Sequence, residues 1–330
     1  MPSFVAQIAP QRSTQYAALA GVLAPPELAL CPASQGISAV RRRVFGEIDY
    51  LRFDMPQAPV PEDLQEWGML AMTSGFFEFF GSFPERNGPF LRPISTGFEP
   101  SFPRDLMVTR RYRGKTNEML TQFLCNIARF SSGFSRKPWH ELRVFDPLSG
   151  GGTTLFTGMV LGADVAGVEK KKQDVQTTVA FLRQYLSSLR IKHSVKEERL
   201  KSYGTRWRFT IGKEKTHLCV LASGDTARSV KLIEGFKKPH LIVTDLPYGI
   251  QHYRDLVPLL KAALPVWAAM MMPDGALAMA WESSRFSREE MIGLIASETD
   301  FNVLNTTPYD RFAHRVDRVI RERDILVATS

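Results

Sequence analysis

"LIVTDLPYGIQHY", residues 241–253, runs four apolar or β-branched residues straight into Asp245-Leu246-Pro247-Tyr248-Gly249. A short apolar run closed by a Pro- and Gly-containing turn is the pattern of a strand buried on both faces, and such strands belong to parallel sheets covered by helices. The stretch therefore predicts a strand that stops at an acidic, aromatic, tightly turned loop. In open α/β sheets ligands bind at the carboxyl ends of the strands, so chemistry is expected in that loop.

Working outward, the segments on either side alternate between helix and strand signals. "KTNEMLTQFLCNIARF" places Met119, Phe123, Ile127 and Phe130 on one helical face. "LRVFDPLSGGGTT" reads as a strand entering a Gly-rich turn, "LFTGMVLGA" as a helix and "DVAGVEK" as a strand. "VQTTVAFLRQYLSSLR" spaces Val175, Val179, Leu182, Leu186 and Leu189 as an amphipathic helix, while "HLCVLASGD", "GALAMAWES" and "ERDILVATS" read as further strands. That alternation predicts a mostly parallel α/β sheet with helices on both faces over residues 105–330.

The glycine-rich turn Gly150-Gly151-Gly152 sits between a strand and a helix beginning near Thr153, which gives it meaning as a ligand loop. Glycines permit close backbone approach, and a helix N-terminus offers free N–H groups. No Gly-Lys-Ser/Thr follows, which excludes a Walker phosphate loop. Gly150, Gly152 and Glu169 fit a dinucleotide fingerprint in part, but Leu155 occupies the third glycine position.

"DPLSGGGTT" followed by Glu169 resembles motif I of the class I S-adenosylmethionine-dependent methyltransferases, and "TDLPYG" resembles motif IV of their branch that methylates exocyclic amino groups of nucleobases. Leu246, where many DNA methylases carry proline, makes the motif most similar to that of guanine-N2 methylases of tRNA and related RNAs. The resemblance covers residues 105–330 and implies a Rossmann-like seven-strand methyltransferase sheet there; the residues before it, which show no match to the RNA-binding domain fused to many tRNA members, read as a smaller auxiliary α+β domain over 1–104, a candidate for substrate binding. It implies S-adenosylmethionine as cofactor, with Gly150, Gly151, Gly152 and Thr153 under its methionine part and Asp146 nearby. Glu169 would take the ribose hydroxyls and Asp225 the adenine amino group. Both roles suit carboxylates, which only accept hydrogen bonds.

The same resemblance implies that Asp245, Leu246, Pro247 and Tyr248 carry catalysis. Asp245 and a backbone carbonyl of the Leu246–Pro247 turn would accept the hydrogens of the amino group, localising its lone pair. Pro247 has no N–H to donate, Tyr248 offers a face for base stacking, and Gly249 leaves room for the base. His252 and Tyr253 are candidates to line the same pocket. A methyl donor at a strand end cannot reach into a duplex, so a flipped or single-stranded base is expected. The implied activity is methylation of guanine N2 in RNA. The alternatives are an adenine-N6 or cytosine-N4 methylase of DNA or RNA, an NAD-binding oxidoreductase that leaves residues 245–248 unused, and an RNA-binding protein without activity.

Composition bounds these readings. Of 330 residues, 44% are hydrophobic and 23% charged, which is globular. Net charge is +8, yet residues 1–100 hold seven Arg, no Lys and ten acidic groups. The positive charge therefore lies in the second part, which suggests a polyanionic partner, and the resemblance implies that this partner is a nucleic acid, RNA above all. "RIKHSVKEERLKSYGTRWRFTIGKEKTH", residues 190–217, with Tyr203, Trp207 and Phe209 among its basic groups, is a candidate for phosphate contact and base stacking, as are Arg110, Arg111, Arg113 and Lys115.

Three separated cysteines make no disulfide framework and no metal is expected, although His193, His217 and Cys219 are noted. "YAALAGVLAPPELALCPAS" imitates a signal h-region, but Pro25 and Pro26 interrupt it. With no spanning segment, a cytoplasmic, RNA-processing enzyme is the expectation. In the N-terminal part, helical spacing at Leu64, Trp67, Leu70 and Ala71 and a Pro-rich linker over 90–104 are expected.

Overall fold

Residues 1–99 are rich in aromatic and β-branched residues, and the chain forms a five-stranded antiparallel sheet there. The computed structural model describes residues 1–10, 19–84, 86–112, 114–247, 250–316 and 322–330, with the backbone alone for 250–254. The elements of this first part are β1 (Ser3–Ile8), α1 (Leu19–Leu30), β2 (Ser38–Phe45), β3 (Ile48–Asp54), α2 (Pro61–Gly68), β4 (Thr73–Phe83) and β5 (Arg86–Ile94). The strand order is β2-β3-β1-β4-β5. Trp67 of α2 is the centre of its core, with ring centroids 5.6 Å from Phe4, 5.6 Å from Phe53 and 4.9 Å from Phe76.

Three local expectations are refined here. The apolar stretch around Pro25 and Pro26 is a core helix, and its fully buried Glu27 accepts hydrogen bonds from the backbone N–H groups of Ala71 and Met72 at 2.9 and 2.8 Å. The α2 helix stops at Gly68, before Leu70 and Ala71. A side chain at Gly68 would meet Thr96 and Phe98 at 2.5 Å, and the "FFEFF" that follows has the alternation and aromatic content of a strand. Residues 90–94, expected within a linker, belong to β5, where Phe90 pairs with Phe80.

The second part begins with α3 (Asp105–Val108) and α4 (Glu118–Ser131), the latter capped by Asn117, whose side chain accepts from Met119 and Leu120 N–H. There follow β6 (Arg143–Asp146), α5 (Thr153–Leu161), β7 (Asp164–Glu169), α6 (Lys172–Ser188), β8 (His193–Leu200), β9 (Gly204–Ile211) and β10 (His217–Ser223). The remaining elements are α7 (Ser229–Leu232), β11 (Leu241–Asp245), α8 (Ile250–Met270), β12 (Ala276–Glu282), α9 (Arg288–Glu298), β13 (Asn302–Leu304), β14 (His314–Arg315) and β15 (Glu322–Thr329).

The large sheet runs β13-β15-β12-β11-β6-β7-β10-β9-β8. Strands β10, β7, β6, β11 and β12 are mutually parallel, and β15 lies antiparallel between β12 and β13. This is the expected doubly wound, Rossmann-like sheet of seven strands, extended by the antiparallel hairpin β8–β9 beyond β10. Residues of β11 are buried on both faces, as the opening stretch requires. On one side α7, α8 and α9 bury Trp267, Met291 and Ile295 with Phe145, Ile242 and Met279 of the strands. On α6, Val175, Val179, Leu182 and Leu186 are buried as spaced, whereas Leu189 lies past the helix end and is exposed.

The hairpin departs from its candidate role. Trp207 and Phe209 of β9 are buried in the sheet's packing and offer no face to a base. Part of its positive charge is also engaged internally. Arg206 pairs with Glu198 and donates to the Glu234 carbonyl, to which Arg208 donates as well.

The chain divides into two compact units, Met1–Glu99 with Thr306–Glu322 and Pro100–Asn305 with Arg323–Ser330. The contiguous division at 104/105 read from the sequence thus differs from the spatial one. Residues 309–311 and 314–315 pack on α1, and Phe312 is buried beside Tyr309, which groups this stretch with the N-terminal unit. No helix of the described residues is long and apolar enough to cross a membrane.

Candidate active site

Strand order places the site before any side chain is considered. From β6 the chain steps outward through β7 to β10, then returns to lay β11 on the other side of β6. The switch point is therefore between β6 and β11, where loops leave in opposite directions and open a crevice. The acidic residues that end the strands gather along this edge. Asp146 closes β6, Glu169 closes β7 and Asp245 closes β11, while Asp225 lies two residues beyond β10.

The glycine turn is tied down at each step. Leu148 N–H donates to Asp146 Oδ1 at 3.0 Å, Ser149 N–H to the Val168 carbonyl at 2.9 Å, and Gly150 N–H to Glu169 Oε2 at 3.1 Å. Gly150 and Gly152 hold φ of +47° and +89°, conformations that L side chains avoid. A Cβ added to Gly150 meets nothing within 4 Å, so the turn borders open space at that point. The close helix–strand approach that a dinucleotide fold obtains from its third glycine comes here from other positions. Gly158 would collide with Val165 at 2.7 Å and Gly167 with Leu155 at 2.8 Å if either carried a side chain.

Glu169 is half-buried, and its other oxygen accepts from Lys171 N–H at 2.8 Å. Each carboxylate oxygen thus has one backbone partner and capacity for another donor. Asp225 is exposed and caps a single helical turn, Thr226–Arg228, through Ala227 N–H at 2.9 Å. The neighbouring Gly224 N–H donates to the Glu169 carbonyl, which ties the start of the Asp225 loop to the end of β7.

A strap absent from the motif reading closes over the turn. The Tyr112 ring lies against Gly151, where an added Cβ would sit 2.2 Å from the ring, and its hydroxyl is 2.6 Å from Thr153 Oγ1. Arg110 stacks over that ring at 5.0 Å and donates to the Gly151 carbonyl, to Thr178 Oγ1 at 2.6 Å and to Thr177 Oγ1 at 2.8 Å. Arg110 is therefore engaged with the glycine loop and α6, and the Thr153 hydroxyl faces Tyr112. The basic character of this segment had marked it in the sequence; nothing there pointed to Tyr112.

Asp245 has the most unusual surroundings. It is about nine-tenths buried, with a side-chain exposure of 9%, and burial drives its pKa upward. Opposing that, Thr116 donates to Oδ2 at 2.6 Å and the buried Arg323 guanidinium approaches the same oxygen at 3.8 Å. Oδ1 accepts no hydrogen bond among the described residues. A carboxylate oxygen is an acceptor, so Oδ1 has capacity for a hydrogen-bond donor. Neither partner was legible: Thr116 precedes a helix cap, and Arg323 opens an apolar strand. Asp146 is buried likewise, pushed up to about 7 by burial, with the Asp245 charge adding to the effect and Thr154 and Leu148 N–H opposing it.

Leu246 is fully buried in the core and its N–H donates to the Ala280 carbonyl at 2.9 Å, while Pro247 is exposed. Tyr248 and Gly249, with the side chains of His252 and Tyr253, lie outside the described residues. His193 Nδ1 meets the Ile191 carbonyl, His217 packs edge-on against Phe102, and Cys219 is buried. Among the described residues no group of three His, Cys, Asp or Glu side chains could hold a metal ion.

No family model matches the chain, and no curated protein matches it. Solved structures do. The chain is similar to TrmN from Thermus thermophilus, at 16% identity and a TM-score of 0.46 over 100% of both chains. It is similar to the T. thermophilus 16S rRNA N2 G1207 methyltransferase (RsmC) in complex with AdoMet and guanosine, at 14% identity and a TM-score of 0.38, covering 87% of this chain and 57% of that one. TehB from Haemophilus influenzae is matched at 12% identity and a TM-score of 0.32, over 57% of each chain.

Proposed function

We propose that this chain methylates an exocyclic amino group of a nucleobase, guanine N2 in an RNA, with S-adenosylmethionine as donor. The observation that carries the reading is Asp245: a buried carboxylate at the switch point, one oxygen held by Thr116 and the other awaiting a donor. The cofactor suits the residues present. Gly150 borders open space, α5 begins beside it without a side-chain cap, and Glu169 and Asp225 supply acceptors for hydroxyls and an amino group. When bound, S-adenosylmethionine supplies a methyl already activated as a sulfonium.

The residues of the chain then have distinct tasks. Asp245 Oδ1 accepts a hydrogen of the amino group and opposes delocalisation of the nitrogen lone pair into the ring. As positive charge develops on that nitrogen, a preorganised anion in a dry site stabilises it without reorganising. The carbonyl of the Leu246–Pro247 turn is the second acceptor, and the buried Leu246 side chain fixes where that turn begins. Tyr248, outside the described residues, is assigned the stacking face by its place in the motif alone. Arg110 and Tyr112 keep the glycine turn in one conformation. Guanine is favoured over adenine or cytosine by the Asp-Leu-Pro-Tyr-Gly form of the loop, and an RNA by the basic second unit. A cytoplasmic place in tRNA processing accords with the same motif form.

Calorimetric titration separates this reading from a nicotinamide-dependent one. S-adenosylmethionine should bind and NADH should not, and Glu169→Ala should weaken S-adenosylmethionine binding by about tenfold or more, the loss of a doubly used acceptor. Binding of NADH alone would contradict the assignment.

A further inference from the structure

The N-terminal sheet has two unlike faces. On one, α2 lays Trp67 over Phe4, Phe53 and Phe76, and α1 brings Gly21 beside Arg42. Arg42 is neutralised on that face by Asp49 at 2.8 Å. Side chains alternate along a strand, so Arg41 and Arg43 of β2 point to the opposite face. Register puts Arg41 across from Arg52 and Arg43 across from Tyr50. On this face Phe45 stacks on Phe79 with centroids 5.8 Å apart and contacts Tyr50 at 5.5 Å, while the Arg52 guanidinium lies 4.2 Å over the Phe79 ring.

No helix of the unit covers this second face among its described residues. Arg41 and Arg43 are exposed, and Phe45, Arg52 and Phe79 are half-buried. No carboxylate pairs with any of the three arginines among the described residues, although residues 1–100 as a whole carry more acidic than basic groups. The positive charge of the unit is thus concentrated where flat aromatic rings are left at the surface. Rings beside unpaired guanidinium groups suit single-stranded nucleic acid: every base has a face to stack, and every nucleotide has a phosphate to neutralise. A protein partner would be met better by an apolar centre with charges at its rim.

We propose that this helix-free face of the N-terminal sheet docks a single-stranded segment of the RNA substrate, with Phe45, backed by Phe79 and Arg52, stacking on a base and Arg41 and Arg43 contacting phosphates. The proposal rests on RNA being the substrate of the methyl-transfer site. It gives the N-terminal unit a defined task, holding part of the RNA, and it moves the stacking platform away from β9, whose Trp207 and Phe209 are buried.

The test is fluorescence anisotropy with the full chain, without cofactor, and a fluorescein-labelled mixed-sequence single-stranded RNA of about 15 nucleotides, near the upper end of ordinary site sizes. Arg41→Glu with Arg43→Glu, both at exposed positions, should weaken binding by about tenfold or more and make the slope of log K against log salt shallower by about 1–2. Phe45→Leu, which keeps apolar volume, should weaken binding by about fivefold or more with the slope unchanged, because stacking releases no counterions. Affinity within about twofold of wild type in both variants would overturn the proposal, as would duplex RNA binding as tightly as single strand. Tighter binding of single-stranded DNA of the same sequence would overturn the choice of RNA, and no measurable RNA affinity would leave a protein as the occupant of this face. Cofactor titration of the same preparations keeps the two readings apart: loss of RNA affinity with intact S-adenosylmethionine binding is a failure of this surface alone.

Discussion

At the scale of single residues, Asp245 and Asp146 hold the account together through their protonation. The proposed mechanism needs Asp245 ionised, and the Thr116 hydroxyl opposes the upward push of burial. In Thr116→Val the acid limb of kcat/KM should therefore move to higher pH, with the rate near neutrality falling by about tenfold. An acid limb at its wild-type position would show that Thr116 does not act on Asp245. Asp146 works on stability. Its carboxyl is raised from the ordinary value to about 7, so the folded chain holds a proton there at pH values where the unfolded chain has lost it. Stability contributed by this group is present at low pH and declines as pH rises through that window. Asp146→Asn removes the titration, so its urea midpoint should decline less than that of wild type between about pH 5 and about pH 8, a difference of about 2–4 kcal/mol in unfolding free energy. Parallel declines would mean that Asp146 is not the group responsible. Asp245 and Glu169 were legible because strand-end acids in a set order are visible in one dimension. Thr116 and Arg323 were not, since each becomes meaningful only when strands distant in sequence are laid side by side.

At the scale of elements, the glycine turn and the strap 110–112 act as a pair. Gly151→Ala places a methyl inside the Tyr112 ring, so the strap or the turn must move. The expected cost is about 1–3 kcal/mol of stability with weakened S-adenosylmethionine binding. Tyr112→Ala in the same chain should recover most of the loss caused by Gly151→Ala, a strongly non-additive cycle measurable by urea denaturation. Additive effects would show that ring and turn are independent. The central strands of the second unit were readable as short apolar runs buried on both faces, and α6 by its amphipathic spacing. The N-terminal strands were harder. "FFEFF" satisfies helical and strand spacing alike over five residues, and only pairing of β4 with β1 and β5 decides between them. The aromatics of the β8–β9 hairpin were misplaced for a related reason: composition marks Trp207 and Phe209 as stacking groups, while the strand's alternation turns them inward.

At the scale of the whole molecule, the chain is two units built from interleaved sequence, since Thr306–Glu322 belongs with the N-terminal sheet and Arg323–Ser330 returns to the large one. That return matters chemically, because Arg323 stands at its first residue and faces Asp245. A change of unit within an unbroken run of charged and apolar residues leaves no compositional signal, so a contiguous boundary was all the sequence could suggest. Charge, too, is divided: the excess of basic groups lies after residue 100, with a local basic face in the otherwise acidic N-terminal unit. The central claim is that Asp245 accepts a hydrogen from a guanine amino group of RNA during methyl transfer. The most direct measurement is transfer of labelled methyl from S-adenosylmethionine to separate pools of unmodified tRNA, rRNA and DNA, followed by nucleoside digestion and mass spectrometry, with Asp245→Asn in parallel. Label should appear as N2-methylguanosine in an RNA pool, and Asp245→Asn should lower it by about a hundredfold or more while still binding cofactor. Label in methyladenine or methylcytosine would contradict the choice of base, and Asp245→Asn turnover within about threefold of wild type would contradict the mechanism.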